Sequence, residues 1–575
     1  MIFTNPFDKR SRRQFWAHGL GVAAIVASSA VAACEGCRTI GGGSASGSKP
    51  EAAPADLADL AGATPTVRLY LSSDLAGALE PCGCTKDQLG GLDHAAAWIR
   101  SQASAAPHSA LVAVGPLFFM DPKLKDDHRD QDVAKAETIA ASLKSLGLVA
   151  FAPGANEWAA GSEELAKLEA ASGGALLFAN GTAVPEASAD ATGTAVGALL
   201  GRWFVRDLGG VKVGFIGVST AGQAPSLAPP PPVRVDPPQA AIAEGLLALK
   251  KAGAQVTIAL AATGRGEAKR LADLAPSLTA IVVGSPGGTG DLNTPAPPPE
   301  RIGNVLILQT GNHLTTVGVL DLHVRNGEFV FADGTGLELG QKREEVRRRI
   351  DDLRGRIAQW DRDPSVKASD VDARRAELKT LEGELQGLEV RPTPPTGSFF
   401  RYEVEEIRPS LGSDAQIKAA AASYFKQINE HNRVAFADRV PPPVAPDQPS
   451  YIGVDACSKC HKEAREVWND TRHANAYATL ADQDKQFNLD CVSCHVTGYD
   501  QPGGSTVTHV AKLENVQCEV CHGPGSKHAL APKRVKMPIP KPGGDQCLGC
   551  HHSPHVEGFE PGKKMANILG PGHGL

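Results

Sequence analysis

The chain carries little excess charge of either sign. Over 575 residues the formal net charge is only −6, whereas a nucleic-acid binder would show a strongly basic face. It also lacks a long unbroken apolar run. Residues 19–34, "GLGVAAIVASSAVAAC", are short and interrupted by Gly and Ser, which makes a poor permanent membrane span. Cysteine is missing from the whole stretch between Cys84 and Cys457. Where it occurs it is bunched: Cys34 and Cys37, Cys82 and Cys84, then eight between Cys457 and Cys550, with most of the histidines in or just beyond that last span. Such bunching points to a cofactor-bearing module, not to cysteines scattered through a core. The length exceeds one ordinary core, so several domains are expected.

The N-terminus reads as an export signal. Basic "KRSRRQFW" precedes the small apolar run, and "SRRQFW" resembles a twin-arginine signal. "VAAC", Val31–Cys34, resembles a bacterial lipobox, which would make Cys34 the lipidated first residue of the mature chain. A plain cleaved signal peptide is the alternative. The expected layout is a signal over 1–34 and a Gly/Ser/Ala/Pro-rich tether over 35–66. That places the protein on the periplasmic side of a bacterial membrane, held by a lipid.

Residues 67–335 alternate short apolar runs with helical patterns. "ALVAVG", "VKVGFIGVS", "QVTIALAAT", "TAIVVGS" and "NVLILQTG" read as buried strands, and "QAAIAEGLLALKKAG" as a helix, so an α/β layered domain is expected. From 336 to 435 the period changes. Val346, Ile350, Leu353, Ile357 and Trp360, then Val371, Leu378, Leu381, Leu385 and Leu388, repeat at heptad spacing around Asp363-Pro364. This predicts an antiparallel helical hairpin, followed by a strand, "SFFRYEVEEI", and a helix, "DAQIKAAAASYFKQINEH". A proline-rich linker spans 436–450, and the last domain, 451–575, is expected to be small, mostly α and loop-rich.

That last domain contains Cys-x-x-Cys-His four times: Cys457, Cys460, His461; Cys491, Cys494, His495; Cys518, Cys521, His522; and Cys547, Cys550, His551. This is the attachment pattern of c-type haem. Two thiols one helical turn apart can add to the two porphyrin vinyl groups, and the following imidazole can then reach the iron from below. Zinc or disulfides would not require a histidine after every pair. Four haems c are therefore expected. The domain is rich in Gly, Pro and Lys with short apolar runs, so packed porphyrins would stand in for a side-chain core. For the second axial position His473 and His528 lead, with His509 and His555 behind them. Met537 and Met565 are also available. His552 would have to face another haem, and His573 lies on a glycine-rich tail.

"YIGVDACSKCHKEAREVWNDTRHANAYATL", "CVSCHVTGY" and "VQCEVCHGPGSKH" resemble the tetrahaem cytochromes of the hydroxylamine-oxidising pathway, the cytochrome c-554 type. The resemblance covers about residues 451–559. It implies stacked haems serving electron transfer, most irons having two histidine ligands and one sometimes lacking its distal ligand.

The α/β stretch resembles the calcineurin-like metallophosphatases, nearest the periplasmic 5'-nucleotidases, over about residues 67–335. "SSDLAGALEP", "QLGGLDHAAAWI", "LVAVGPLF", "FAPGANEWAAG", "GGVKVGFIGVST", "IALAATG" and "IVVGSPGG" match in order. That family holds two metals on Asp, His and Asn at strand ends. Here Asp74 remains. Ala76, Pro116, Ala262, Ser285 and Gly287 replace ligands, and Ala155-Asn156 stands where an Asn-His pair is expected. The resemblance therefore implies the fold without the dinuclear centre. Cys82 and Cys84 stay open between a disulfide, a soft-metal site and a redox relay. The expected function is electron transfer by an exported, lipid-anchored multihaem cytochrome with redox-protein partners and no nucleic acid. The alternatives are a haem enzyme acting on a small nitrogen or oxygen species at an open axial site, and a hydrolase.

Overall fold

The computed structural model describes residues 64–81, 88–183, 200–220 and 233–573, apart from 289, 291, 364, 390–392, 554 and 557. The export signal with Cys34, the tether to residue 63, and Cys82 and Cys84 lie outside the described residues.

Strands β1 (Val67–Ser73), β2 (Ser109–Gly115), β3 (Leu148–Pro153) and β4 (Ala175–Leu176) alternate with helices α1 (Leu92–Ser101), α2 (Arg129–Ser145) and α3 (Ser162–Ser172). Then come β5 (Gly181–Ala183), β6 (Trp203–Leu208), β7 (Val211–Ser219), β8 (Val233–Val235), α4 (Pro238–Lys251), β9 (Val256–Ala262), α5 (Arg265–Leu274), β10 (Ala280–Gly284), β11 (Glu300–Ile302) and β12 (Val305–Leu308). β13 (Thr316–His323) and β14 (Phe331–Asp333) lead to helices α6 (Gly340–Trp360) and α7 (Ala368–Glu389), then β15 (Ser398–Glu406) and α8 (Ala415–Ala435). One sheet has the order β14-β15-β13-β1-β2-β3-β4 and a second the order β11-β12-β10-β9-β7-β6.

Side-chain alternation along β1 assigns the layers. Leu69 and Leu71 point between the two sheets, where they meet Val112, Val114, Ile258 and Leu260. Tyr70 points the other way, onto a cluster with Leu92, Ile139 and Ile417 from α1, α2 and α8. α4 and α5 cover the outer face of the second sheet through Ile242, Leu249 and Leu271. The result is a helix–sheet–sheet–helix sandwich. The central parallel strands are apolar on both faces because both faces are covered.

The heptad segments form the expected hairpin. Val346, Ile350, Leu353, Ile357, Val371, Leu381 and Leu388 are buried in a cluster of their own, flanked by Trp360, Leu378 and Leu385. Arg354 pairs with Glu382 and Arg375 with Asp361 across it, each at 2.8 Å. The strand after the hairpin does not stand apart. β15 lies between β14 and β13, with Leu320 opposite Tyr402, so the hairpin is an excursion from the sheet. α8, capped by the Asp414 carboxylate on the N–H groups of Gln416 and Ile417, then packs back on α1 and α2. The α/β layers therefore run past residue 335 to the end of α8.

Beyond the linker the chain forms only short helices, the longest being Lys462–Asn469 at eight residues. Leu489, Val492, Val496, Val507 and Val510 make a small cluster. After Leu513 no apolar side chain is buried among the described residues. The linker is fastened: Thr508 Oγ1 donates to Phe436 O, and Gly503 N–H to Pro442 O.

Candidate cofactor site

The four Cys-x-x-Cys-His motifs each sit on or beside a one-turn helix, Val454–Cys457, Val492–His495, Cys518–His522 and Asp545–Leu548. None of the eight motif cysteines is paired with another as a disulfide. The motifs lie close together. Cys457 and Cys518 are in hydrogen-bonding reach of one another, which lowers the Cys518 thiol and raises that of Cys457. Cys494 and Cys550 are likewise in reach, which lowers the Cys494 thiol and raises that of Cys550.

The histidines show the arrangement most clearly. The rings of His461 and His528 have centroids 6.3 Å apart, and those of His473 and His551 are 6.2 Å apart. Each pair joins a motif histidine to one of the two leading distal candidates, and each crosses between motifs. His528 follows the third motif in sequence but faces the first, and His473 follows the first but faces the fourth. His555 is held below the usual imidazole range by burial first, and it also feels His552, Asp490 and His495. His573 is lowered by burial and by His522 and His461. His509 is engaged elsewhere, its Nδ1 3.1 Å from Thr508 Oγ1. His552 meets His555 edge-on at 5.9 Å, and Phe559 stacks on His551 at 4.3 Å.

Backbone carbonyls fix several of these rings. His495 Nδ1 lies 2.6 Å from Ala476 O, His522 Nδ1 2.9 Å from Ile539 O, and His528 Nδ1 2.6 Å from Val535 O. A carbonyl only accepts, so Nδ1 carries the proton and donates, leaving the Nε2 lone pair for a metal. Sequence reasoning did not find these carbonyl partners, because any residue type supplies one.

A second cluster gathers at the strand ends of the α/β layers. Asp74 follows β1, Pro116 follows β2, Asn156 follows β3, Ala262 ends β9, and Ser285 and Gly287 follow β10. Asp74 Oδ1 accepts the Ser285 N–H at 2.7 Å. Burial pushes its carboxyl up to about 7 against that hydrogen bond. Gly115 has to be glycine: a Cβ there would lie 1.9 Å from Asp74 Oδ1, and its φ is +86°. Asp74 and Ala76 both have positive φ, 52° and 48°, strain of the kind that persists where surrounding structure imposes it. Asn156 Nδ2 donates to Phe119 O, Met120 O and Gly288 O. Glu157 Oε1 accepts from Leu117 N–H and Phe118 N–H. Glu80 is drawn away from the cluster: it pairs with Lys485 at 2.6 Å. Among the described residues no three His, Cys, Asp or Glu side chains converge on a point that could hold a metal ion.

The two halves meet through polar side chains that the sequence did not single out. Gln131 on α2 and Asn429 and Asn432 on α8 are buried and bond the backbone of residues 487–489. Lys135 reaches Asp490 at 3.2 Å. Amides at positions 429 and 432, one turn apart on the apolar face of a helix, were the available signal.

Solved structures similar in layering include a 5'-nucleotidase precursor from Thermus thermophilus, at 16% identity and TM-score 0.41, covering 71% of this chain and 68% of that one. Another is the calcineurin-like phosphoesterase YfkN from Bacillus subtilis, at 19% identity and TM-score 0.35, covering 46% and 86%. Cytochrome c-554 of Nitrosomonas europaea is 34% identical over 19% of this chain, and the match spans 60% of that relative's length. Residues 456–523 match the family described as cytochrome c554 and c-prime, so the C-terminal segment is similar to cytochromes of that type.

Proposed function

We propose that the protein is an exported, lipid-anchored cytochrome that transfers electrons through four haems c, and that its α/β part is a scaffold without hydrolase activity. The single observation that carries this reading is the spacing of the paired imidazoles. Two imidazoles that held one iron between them would have centroids roughly 6 Å apart, from two metal–nitrogen bonds of about 2 Å and two ring half-widths of about 1 Å. The 6.3 and 6.2 Å pairs fit that span. The coreless segment after Leu513 fits too, since porphyrins would supply the apolar surface that its side chains do not.

Cys457 and Cys460, Cys491 and Cys494, Cys518 and Cys521, and Cys547 and Cys550 would hold the four groups by thioether bonds. His461, His495, His522 and His551 would be the proximal ligands. His528 would complete the iron of His461, and His473 that of His551. A haem iron with two imidazole ligands exchanges one electron and leaves no position for substrate. The chain's own contribution is orientation: the carbonyls of Ala476, Ile539 and Val535 hold three imidazoles by Nδ1 and leave their Nε2 lone pairs unprotonated.

The scaffold reading of the α/β part rests on where its remaining polar groups are spent. The Asn156 amide nitrogen is spent on backbone carbonyls, Asp74 Oδ1 accepts the Ser285 N–H, and the other ligand positions carry Ala, Pro, Ser or Gly. Membrane attachment rests on "VAAC" ahead of the tether; a diacyl chain pair meets the two-chain requirement for stable anchoring. No helix among the described residues is long and apolar enough to cross a membrane. The partners would be redox proteins on the periplasmic side.

A second reading, a haem enzyme acting on a small nitrogen or oxygen species, is favoured at the irons of His495 and His522. Among the described residues neither ring makes the ring contact that joins His461 to His528 and His551 to His473, although His555 lies within charge range of His495 and His573 of His522. Optical and electron paramagnetic resonance spectra of the haem-loaded protein test both. Mainly low-spin signals and four haems per chain support the carrier. A majority of high-spin iron overturns it.

A further inference from the structure

We propose that residues 533–541 are the docking surface for an acidic-faced protein that carries a one-electron redox centre; this rests on the haem reading above. The segment "KRVKMPIPK" contains Lys533, Arg534, Lys536 and Lys541 and no acidic residue, in a chain whose net charge is −6. All four cations are exposed. Some exposed arginines elsewhere are spent in ion pairs, as Arg354 is with Glu382 and Arg375 with Asp361. Among the described residues these four have no such partner, so their field is free to act on another molecule.

The segment is also fastened to the candidate iron ligands. Val535 O accepts from His528 Nδ1 at 2.6 Å, and Ile539 O accepts from His522 Nδ1 at 2.9 Å. Ile539 N–H returns to His522 O at 3.0 Å. Pro538 lies against Gly523, and Pro538 and Pro540 restrict the backbone between them. The strap thus has two faces. Its carbonyls hold imidazoles that belong to two different motif sites, and its cations face water. A partner attracted by the charge is seated one hydrogen bond from both ligands.

Leu530, 87% exposed, adds an apolar spot beside the cations. A small apolar contact within a charged field suits a brief encounter, in which electrostatics sets the association rate and little area is buried. An anionic lipid surface would use the charge as well. It would have no use for the connection to His522 and His528, and that connection favours the redox protein.

The test uses the full-length, haem-loaded protein and a flavodoxin, which is acidic and carries a one-electron flavin. Association is followed by surface plasmon resonance at low and at physiological salt, with phosphatidylserine/phosphatidylcholine vesicles as a parallel probe. The variant K533E/R534E/K536E/K541E should slow association with flavodoxin by about tenfold or more at low salt and flatten its salt dependence. If charge reversal prevents maturation, the corresponding four-glutamine variant should slow association several-fold. Equal association by variant and wild type, with haem content intact, overturns the proposal. So does vesicle binding that is lost in the variant while flavodoxin shows no preference. Charge-dependent docking in a wild type with fewer than four haems would count against the haem reading and leave the docking surface standing.

Discussion

The side-chain oxygen of Gln131, on α2, accepts the backbone N–H of Leu489 at 2.9 Å, two residues before the first cysteine of the second motif. The same oxygen accepts from Asn432 Nδ2 at 3.1 Å, and Asn432 reaches Phe487 O at 2.9 Å. Lys485 lies over the Phe425 ring at 4.1 Å while it pairs with Glu80. Arg439 bridges Asp127 and Asp500. The strand of chain that enters the second motif is thus clamped by two helices of the α/β layers. The α/β layers hold the approach to the second motif through contacts that need no metal.

Gln131→Leu should weaken that clamp. It removes a buried acceptor and leaves the Leu489 N–H unpaired, which costs about 1–3 kcal/mol. Calorimetry of the haem-loaded protein should show a lower transition, with the C-terminal part melting ahead of the α/β part. A thermogram identical to that of the wild type would show that the clamp carries no coupling.

Haem attachment is tested by deletion of one motif's thiols. Cys518→Ser/Cys521→Ser should lower the haem-to-protein ratio from four to three, and the remaining haem should stay with the chain after acid–acetone extraction. An unchanged ratio would remove the third motif from the assignment. Because Glu519 accepts the backbone N–H groups of Ile452, Gly453 and Gly525, the fold around the motif has support apart from the thiols.

Glu157 provides a pH signature of the strand-end cluster. Burial pushes its carboxyl from 4.5 up to about 8, with the N–H groups of Leu117 and Phe118 opposing. The unfolded chain ionises this group near its ordinary value and the folded chain only near 8. Stability is therefore lost as pH rises between those two values, and the loss is complete above the upper one. Glu157→Gln cannot ionise. Its stability relative to wild type should rise from pH 5 to pH 9, by about 2–4 kcal/mol at the upper end, as read from urea unfolding at the two pH values. A difference that does not change with pH would mean that Glu157 is ionised throughout.

Much of this architecture was legible in the sequence, for physical reasons that differ by region. The hairpin was legible because seven-residue spacing has few other solutions, and each apolar position from Val346 to Leu388 that it singled out lies in or against the seam. The layers were legible because parallel strands covered on both faces read as unbroken apolar runs. The place of β15 was not, because alternation shows that one face is covered but not which strand lies alongside. The motifs were legible as local chemistry. The crossing of His528 to His461 and of His473 to His551 was not, since it depends on how four short helices pack, and the sequence assigned neither histidine to a particular motif. The Gln131 clamp was hidden for the opposite reason: a buried amide looks like any surface glutamine until its partners are known.

Those crossed pairs separate a carrier from an enzyme. If His528 and His473 complete the irons of His461 and His551, removing either imidazole opens one axial position. His528→Ala and His473→Ala should each convert one haem from low to high spin, seen by electron paramagnetic resonance, and the opened iron should then bind cyanide or carbon monoxide. The affected haem should be the one attached through Cys457 and Cys460 for His528→Ala, and the one attached through Cys547 and Cys550 for His473→Ala. Combining each alanine with removal of the relevant thiols should abolish the new high-spin signal, whereas removal of the Cys518 and Cys521 thiols should not. If the signal of His528→Ala instead disappears with Cys518→Ser/Cys521→Ser, His528 serves the neighbouring motif and the crossing is wrong. If the native protein already binds cyanide at one iron and neither alanine adds a second, the carrier reading gives way to small-molecule chemistry at that open iron.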